Sequence, residues 1–154
     1  MKKTAFVIGT GPSLNDIDME KLKNYDCVTF NRAYIAFEDW GFVPKYYLAI
    51  DGNDIRSVYK DINNIALNNP LSKFFILDDE GHNKIHPPDA FQDNDKKISL
   101  FDWDTENLYR IHQHGSTFGG HIDGPSAHLP VVPNAGWMGV ELLYALGYRR
   151  IAFV

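Results

Sequence analysis

The sequence predicts an α/β domain built on a Rossmann-like sheet, open and mainly parallel, with helices on both faces and a long irregular insertion before the last helix. Apolar runs rich in β-branched and aromatic residues recur at strand length, several without the alternation of a half-exposed strand, as expected where both faces are buried. Segments with helical spacing alternate with these runs, the signature of parallel strands joined by covering helices. The 154 residues, 44% hydrophobic and 14% aromatic, suffice for one domain with its own core. Residues 1–154 are therefore read as a single unit.

From the N-terminus, the first strand is Ala5 to Ile8, an apolar run that stops at Gly9. Met19 to Asn24 follows as a short helix with Asp18 in the capping position. Cys27 to Phe30 is the second strand, Ala33 to Trp40 the next helical stretch and Tyr46 to Ile50 the third strand. Within Asp54 to Leu67, Ile55, Val58, Ile62 and Ile65 recur at steps of three and four, an apolar stripe ended by Asn68, Asn69 and Pro70. That helix should lie on the sheet surface. Phe74 to Leu77 and Ile98 to Phe101 read as strands, and residues 79–133 around the latter, dense in Gly, Pro, His, Asp and Asn, read as a loop-rich lid or insertion. Trp137 to Leu146 is apolar nearly all round, which marks a deeply packed helix. Gly147 is its natural stop before the last strand, Ile151 to Val154.

The formal net charge of -5 offers no general attraction to nucleic acid or to an anionic membrane. Cys27 is the single cysteine, so no intrachain disulfide forms, and its neighbours Val28 and Phe30 mark a small buried strand residue; a cytoplasmic location is the expectation. The opening MKKTAFVIGTG has the basic start of a secretory leader, but its apolar run breaks at Gly9 and Pro12, so it reads as a strand. No apolar run approaches the roughly 20 residues of a transmembrane segment.

The stretch FVIGTGPSLNDID sets two glycines and a proline at the carboxyl end of the first strand, where open α/β sheets bind ligands. Gly9 and Gly11 remove side chains that would keep backbone N–H groups from an anion, and Pro12 fixes the exit direction. The loop suits a phosphate or a nucleotide. It is not a P-loop, which ends in Gly-Lys-Ser/Thr, nor a dinucleotide fingerprint, which would place a third glycine at Leu14. The second strand runs out at Asn31 and Arg32 rather than at an acid, and a carboxamide suits a base edge or sugar hydroxyl. Asp51 and Asp78 with Asp79 close the next two strands on the same edge. The competing readings are a plain tight turn into a helix for Gly9 to Ser13 and a turn or cap role for Asn31.

Taken together, VIGTGPSL, TFNRAY and NAGWMGVELLYALGYRRIAFV resemble the bacterial lipooligosaccharide sialyltransferases. They also resemble a related group holding the motility-accessory-factor flagellin glycosyltransferases and the archaeal 6-hydroxymethylpterin diphosphokinase-like proteins. The likeness covers the N-terminal third and the last twenty or so residues. It implies that Gly9, Thr10 and Gly11, with Pro12 and Ser13, lie beside a nucleotide's phosphate and ribose, and that Asn31 and Arg32 touch the nucleotide or donor sugar. It puts Asp51 where the sialyltransferases carry an asparagine on the donor sugar, and where the wider group could hold a cation. Asn134, Ala135 and Gly136, opening the last helix, would present N–H groups to a phosphate or base, which helix N-terminus physics also favours. Val131, Val132 and Pro133 stand where the sialyltransferases have an arginine. Their general-base histidine would fall beyond Val154, so the expectation is either a fragment or a different chemistry.

His112, His114, His121 and His128 lie among glycines and prolines and read as loop histidines over a substrate mouth, with a zinc or iron site as the sharper alternative. Trp103, between Asp102 and Asp104, reads as buried under a loop, or as a stacking platform for a base or sugar. The leading functional expectation is a single nucleotide-binding domain acting as a glycosyltransferase. It would move a nonulosonic acid such as sialic acid from a CMP-activated donor to a glycan or protein acceptor, with no cofactor required. One alternative is an ATP-dependent diphosphokinase of a pterin alcohol, in which Asp51 and Asp78 hold Mg2+. Another is a non-catalytic nucleotide-binding module. A homo-oligomer is compatible with each.

Overall fold

The computed structural model describes residues 3–78, 84–85, 98–115 and 119–154. In chain order these form β1 (Thr4–Val7), α1 (Met19–Leu22), β2 (Asp26–Phe30), α2 (Phe37–Trp40), β3 (Tyr46–Ala49), α3 (Gly52–Asn68), β4 (Lys73–Leu77), β5 (Lys84–Ile85), β6 (Ile98–Ser99), β7 (Leu108–His114), β8 (His121–Asp123), β9 (Ser126–Pro130), α4 (Ala135–Ala145) and β10 (Arg150–Phe153). Turns of 3-10 helix at Pro12–Asp16 and Asn31–Ala36 follow β1 and β2.

Eight strands make one sheet in the order β10-β1-β2-β3-β4-β7-β9-β8, parallel throughout except for the β8–β9 pair. The α/β class and the mostly parallel sheet match the sequence reading. The order differs from the mirrored halves, 3-2-1-4-5-6, of the dinucleotide fold: from β1 to β7 each new strand steps the same way, and only β10 is laid on the other side of β1.

Residues facing opposite sides of the sheet form separate cores. Val7, Val28, Leu48, Phe75, Ile111 and Leu129 pack with Met138, Leu142 and Leu143 of α4. On the other face Tyr47, Ala49, Phe74 and Ile76 pack on Ile55, Val58, Ile62 and Ala66 of α3, while Ile8 and Cys27 pack on Leu22 of α1. The α3 stripe lies as its spacing predicts, with Ile65 at its margin. Each fully buried aliphatic side chain contributes roughly 1.5–3 kcal/mol.

The inward face of α4 is buried, whereas Trp137 and Tyr144 on its outer face are exposed, so the expectation of a deeply packed helix holds for one side only. Gly139 makes the close approach: a Cβ there would stand 3.2 Å from Val28 Cγ1 and 3.3 Å from Val7 Cγ1. α4 touches β1 and β2 and also β8 and β9. A helix of 11 residues is about 16 Å long, while β1 and β8 would be roughly 29 Å apart in a flat sheet. The sheet therefore curls around α4. The helix ends in a Schellman arrangement, with Gly147 at φ 95° and hydrogen bonds from Gly147 N to Tyr144 O and from Tyr148 N to Leu143 O.

Much of the segment read as irregular is regular. β7, β8 and β9 extend the main sheet, with Gly124 at φ 54° in the tight turn of the β8–β9 hairpin. Ile98 to Phe101 does not add a main-sheet strand; Ile98 and Ser99 pair with β5 in a separate ladder. Asp79, read with Asp78 at the end of the fourth strand, lies outside the described residues. Among the described residues, no helix is long and apolar enough to cross a membrane.

Candidate functional site

β1 and its last-laid neighbour β10 are joined to the rest of the chain over opposite faces: α1 follows β1 on one side and α4 precedes β10 on the other. Such a divergence opens a crevice beyond the strands' carboxyl ends. A groove of about 780 Å3 lies one strand away from that divergence, between the turn after β1 and the 3-10 turn after β2, and no residue of β10 or α4 lines it. Thr10, Gly11 and Pro12 form one wall; Asn31, Arg32 and Asp54 belong to the other, and Leu14, Phe30 and Trp40 supply apolar surface.

Gly9 sits behind the groove, its N–H donating to the Val154 carbonyl at 3.0 Å, which ties the turn to the end of β10. The Thr10 and Gly11 N–H groups, both on exposed residues, have no acceptor among the described residues. They remain available to a ligand. Ser13 is exposed within the following turn and does not line the groove.

Asn31 takes φ 51°, a left-handed conformation that asparagine tolerates better than most side chains. Its backbone carbonyl accepts the Tyr47 hydroxyl, and its Oδ1 accepts the Ile50 N–H at 3.3 Å. The turn role is realised, and Asn31 lines the groove with its Nδ2 donor left over. Burial pushes the Tyr47 phenol far above its usual range, and it stays a neutral donor. Arg32 is 56% exposed at its side chain; Nε donates to Asp54 Oδ1 at 3.0 Å and Nη2 to Ser57 Oγ at 3.3 Å. The hydrogen bond and charge of Asp54 hold the guanidinium even further above neutrality than usual. α3 therefore holds Arg32 at the groove wall.

Asp51 precedes α3 and acts as its cap: Oδ1 accepts the Asp54 N–H at 3.4 Å and its carbonyl accepts Ile55 N–H at 2.9 Å. Asp78 pairs with Arg110 on β7 at 3.0 Å. Neither lines the groove. The start of α4 is also off it: Asn134 Oδ1 caps the helix by accepting Trp137 N–H at 2.9 Å, and a Cβ on Gly136 would lie 3.5 Å from the Phe153 ring and 3.9 Å from that of Phe30. Aromatic carbon backs the first turn of α4, and Asn134, Ala135 and Gly136 are not brought together with the β1 turn in the groove.

The histidines occupy strands rather than a loop. His112, His128 and His121 are in register across β7, β9 and β8, with ring centroids 5.3 and 4.8 Å apart. Their rings lie side by side, and among the described residues no three His, Cys, Asp or Glu side chains are placed to hold a metal ion. Trp103 packs on Phe101 and carries the Arg110 guanidinium 4.4 Å over its ring. Sequence reasoning missed Leu14, Trp40 and Asp54 as groove residues; only the helical spacing that sets Asp54 on the first turn of α3, facing Arg32, hinted at one of them. Comparison of the chain with family models, curated proteins and solved structures finds no match.

Proposed function

We propose that the groove receives the nucleotide of a CMP-activated sugar, and that the chain is a cytoplasmic, Rossmann-like glycosyltransferase domain moving a nonulosonic acid such as sialic acid to a glycan or protein acceptor. The observation that carries the reading is the opposition, across one groove, of the free Thr10 and Gly11 amides and the Asn31–Arg32 corner. In the reaction the acceptor hydroxyl, losing its proton to a base, attacks the anomeric carbon as the bond to the CMP phosphate breaks. The two amides and Arg32 donate to the phosphate as negative charge collects on it, and fixed donors of this kind stabilise a departing anion without reorganising. Asn31 Nδ2 donates to the base or to a sugar hydroxyl, and Trp40 and Leu14 give the nucleoside an apolar wall.

Calorimetric titration with CMP, UMP and ATP, each with and without Mg2+, tests this. CMP should bind tightest and without a metal requirement, and Arg32→Ala should weaken it roughly tenfold, the loss of one charge-assisted contact. ATP binding as tightly as CMP would overturn the proposal. Magnesium-dependent ATP binding that is lost in Asp51→Asn would support the pterin diphosphokinase instead, and CMP binding by a chain that turns over no donor would support a binding module.

A further inference from the structure

The outer stripe of α4 carries Trp137, Val140, Glu141 and Tyr144 at helical spacing, and with Gly119 these residues line a second cavity of about 300 Å3, away from the groove. Trp137 and Tyr144 are 41% and 46% exposed, whereas Glu141 is only 4% exposed. Among the described residues Glu141 makes no hydrogen bond or ion pair. The nearby cation does not serve it: the Arg149 guanidinium lies 4.1 Å over the Tyr144 ring and donates to the Tyr144 and Tyr148 carbonyls. A carboxylate withdrawn from water without a partner is destabilising, and it is normally found where something else supplies the partner. Here the carboxylate borders a cavity walled by two aromatic rings.

We propose that this cavity is a binding site for a small organic ammonium ion. The Trp137 ring would stabilise its charge through its quadrupole, while Tyr144, already stacked with Arg149, would only close the side of the cavity. Glu141 would accept its N–H groups, and Val140 would contact its alkyl part. The cavity shares no lining residue with the groove, and its carboxylate would repel a phosphate, which separates this ligand from that of the groove.

A 1H–15N NMR titration of the whole chain with n-butylammonium at pH 7 and constant ionic strength, with n-butanol as the neutral isostere, tests the site. Saturable shifts are expected at the Gly119 amide and the Trp137 indole N–H with the amine and not with the alcohol. Glu141→Gln should raise the dissociation constant at least tenfold, and Trp137→Leu should do the same, with partial recovery in Trp137→Phe. CMP binding should be unchanged in all three variants. Absence of saturable shifts, equal binding of butanol, or retained affinity in Glu141→Gln would overturn the site. Should Glu141→Gln fail to fold, the Trp137 pair decides: affinity indifferent to both changes overturns it.

Discussion

Asn31 joins backbone and chemistry at a single position. Its left-handed φ of 51° and its acceptance of the Ile50 N–H both favour asparagine, and Tyr47 locks the same residue through its carbonyl. Asn31→Ala should destabilise the fold by about 1–3 kcal/mol, combining the left-handed penalty with the lost acceptor. Asn31→Gly, free of the first cost, should lose less, and midpoints of urea denaturation distinguish the two. From the sequence Asn31 was legible as a polar group at a strand end. Its conformation was not, because it depends on where β3 places Tyr47, a matter of register between segments. Cys27 was fully legible: it is buried, and burial, reinforced by the charge of Asp26, pushes its thiol up to about 12.

At the scale of elements, a single side chain joins α3 to β7. The buried Asn107 Nδ2 donates to the carbonyls of Ala66, Asn69 and Ser72 at 2.9, 3.1 and 3.1 Å, satisfying the end of the helix and the turn beyond it. Asn107→Ala should cost about 2–4 kcal/mol, since carbonyls buried without donors lose more than the net value of their bonds. Asn107→Asp should be no better, because it presents an acceptor to acceptors; thermal melts of both variants check this. The strands before β5 were readable because both their faces are buried and their sequences are continuous apolar runs. β7 escaped because its apolar run is broken: Tyr109 and Ile111 turn to the α4 core and Leu108 to the α3 core, but Arg110 and His112 follow Leu108 on its face. Alternation was present in LYRIHQH, masked by its histidines. The Asp123–Gly124 pair between Ile122 and Ala127 was an unread hairpin signal. Of the three segments read as converging, Thr10 to Pro12 and Asn31 with Arg32 line the groove and Asn134 to Gly136 do not, because Phe153 and Phe30, from the strands either side of β1, stand against Gly136, and that contact depends on strand order.

For the molecule as a whole, the amino ends of the strands are held by a charge network opposite the groove. Asp26 accepts from Lys45 at 2.8 Å and from the Tyr148 hydroxyl, lies 3.8 Å from Lys3, and Tyr148 in turn meets Tyr46 at 3.0 Å. Burial alone would raise the Asp26 pKa, but the hydrogen bonds from Lys45 and Tyr148 and the lysine charges leave it below its ordinary value. The unfolded chain, with an aspartate near 3.9, then binds this proton more readily than the folded one. The network's contribution is complete above that pH and is lost as pH falls through 3.9 toward the lower folded value. Denaturation midpoints measured from pH 6 to pH 2.5 should fall in that window, and Asp26→Asn should be less stable at pH 6 and flatter toward acid. The placement of β1 between β2 and β10 has a further consequence. On the ribosome, β1 must wait with one flank bare until residues 150–153 emerge. The turn after β1, anchored through Gly9 to Val154, takes its final shape only once that residue has been made.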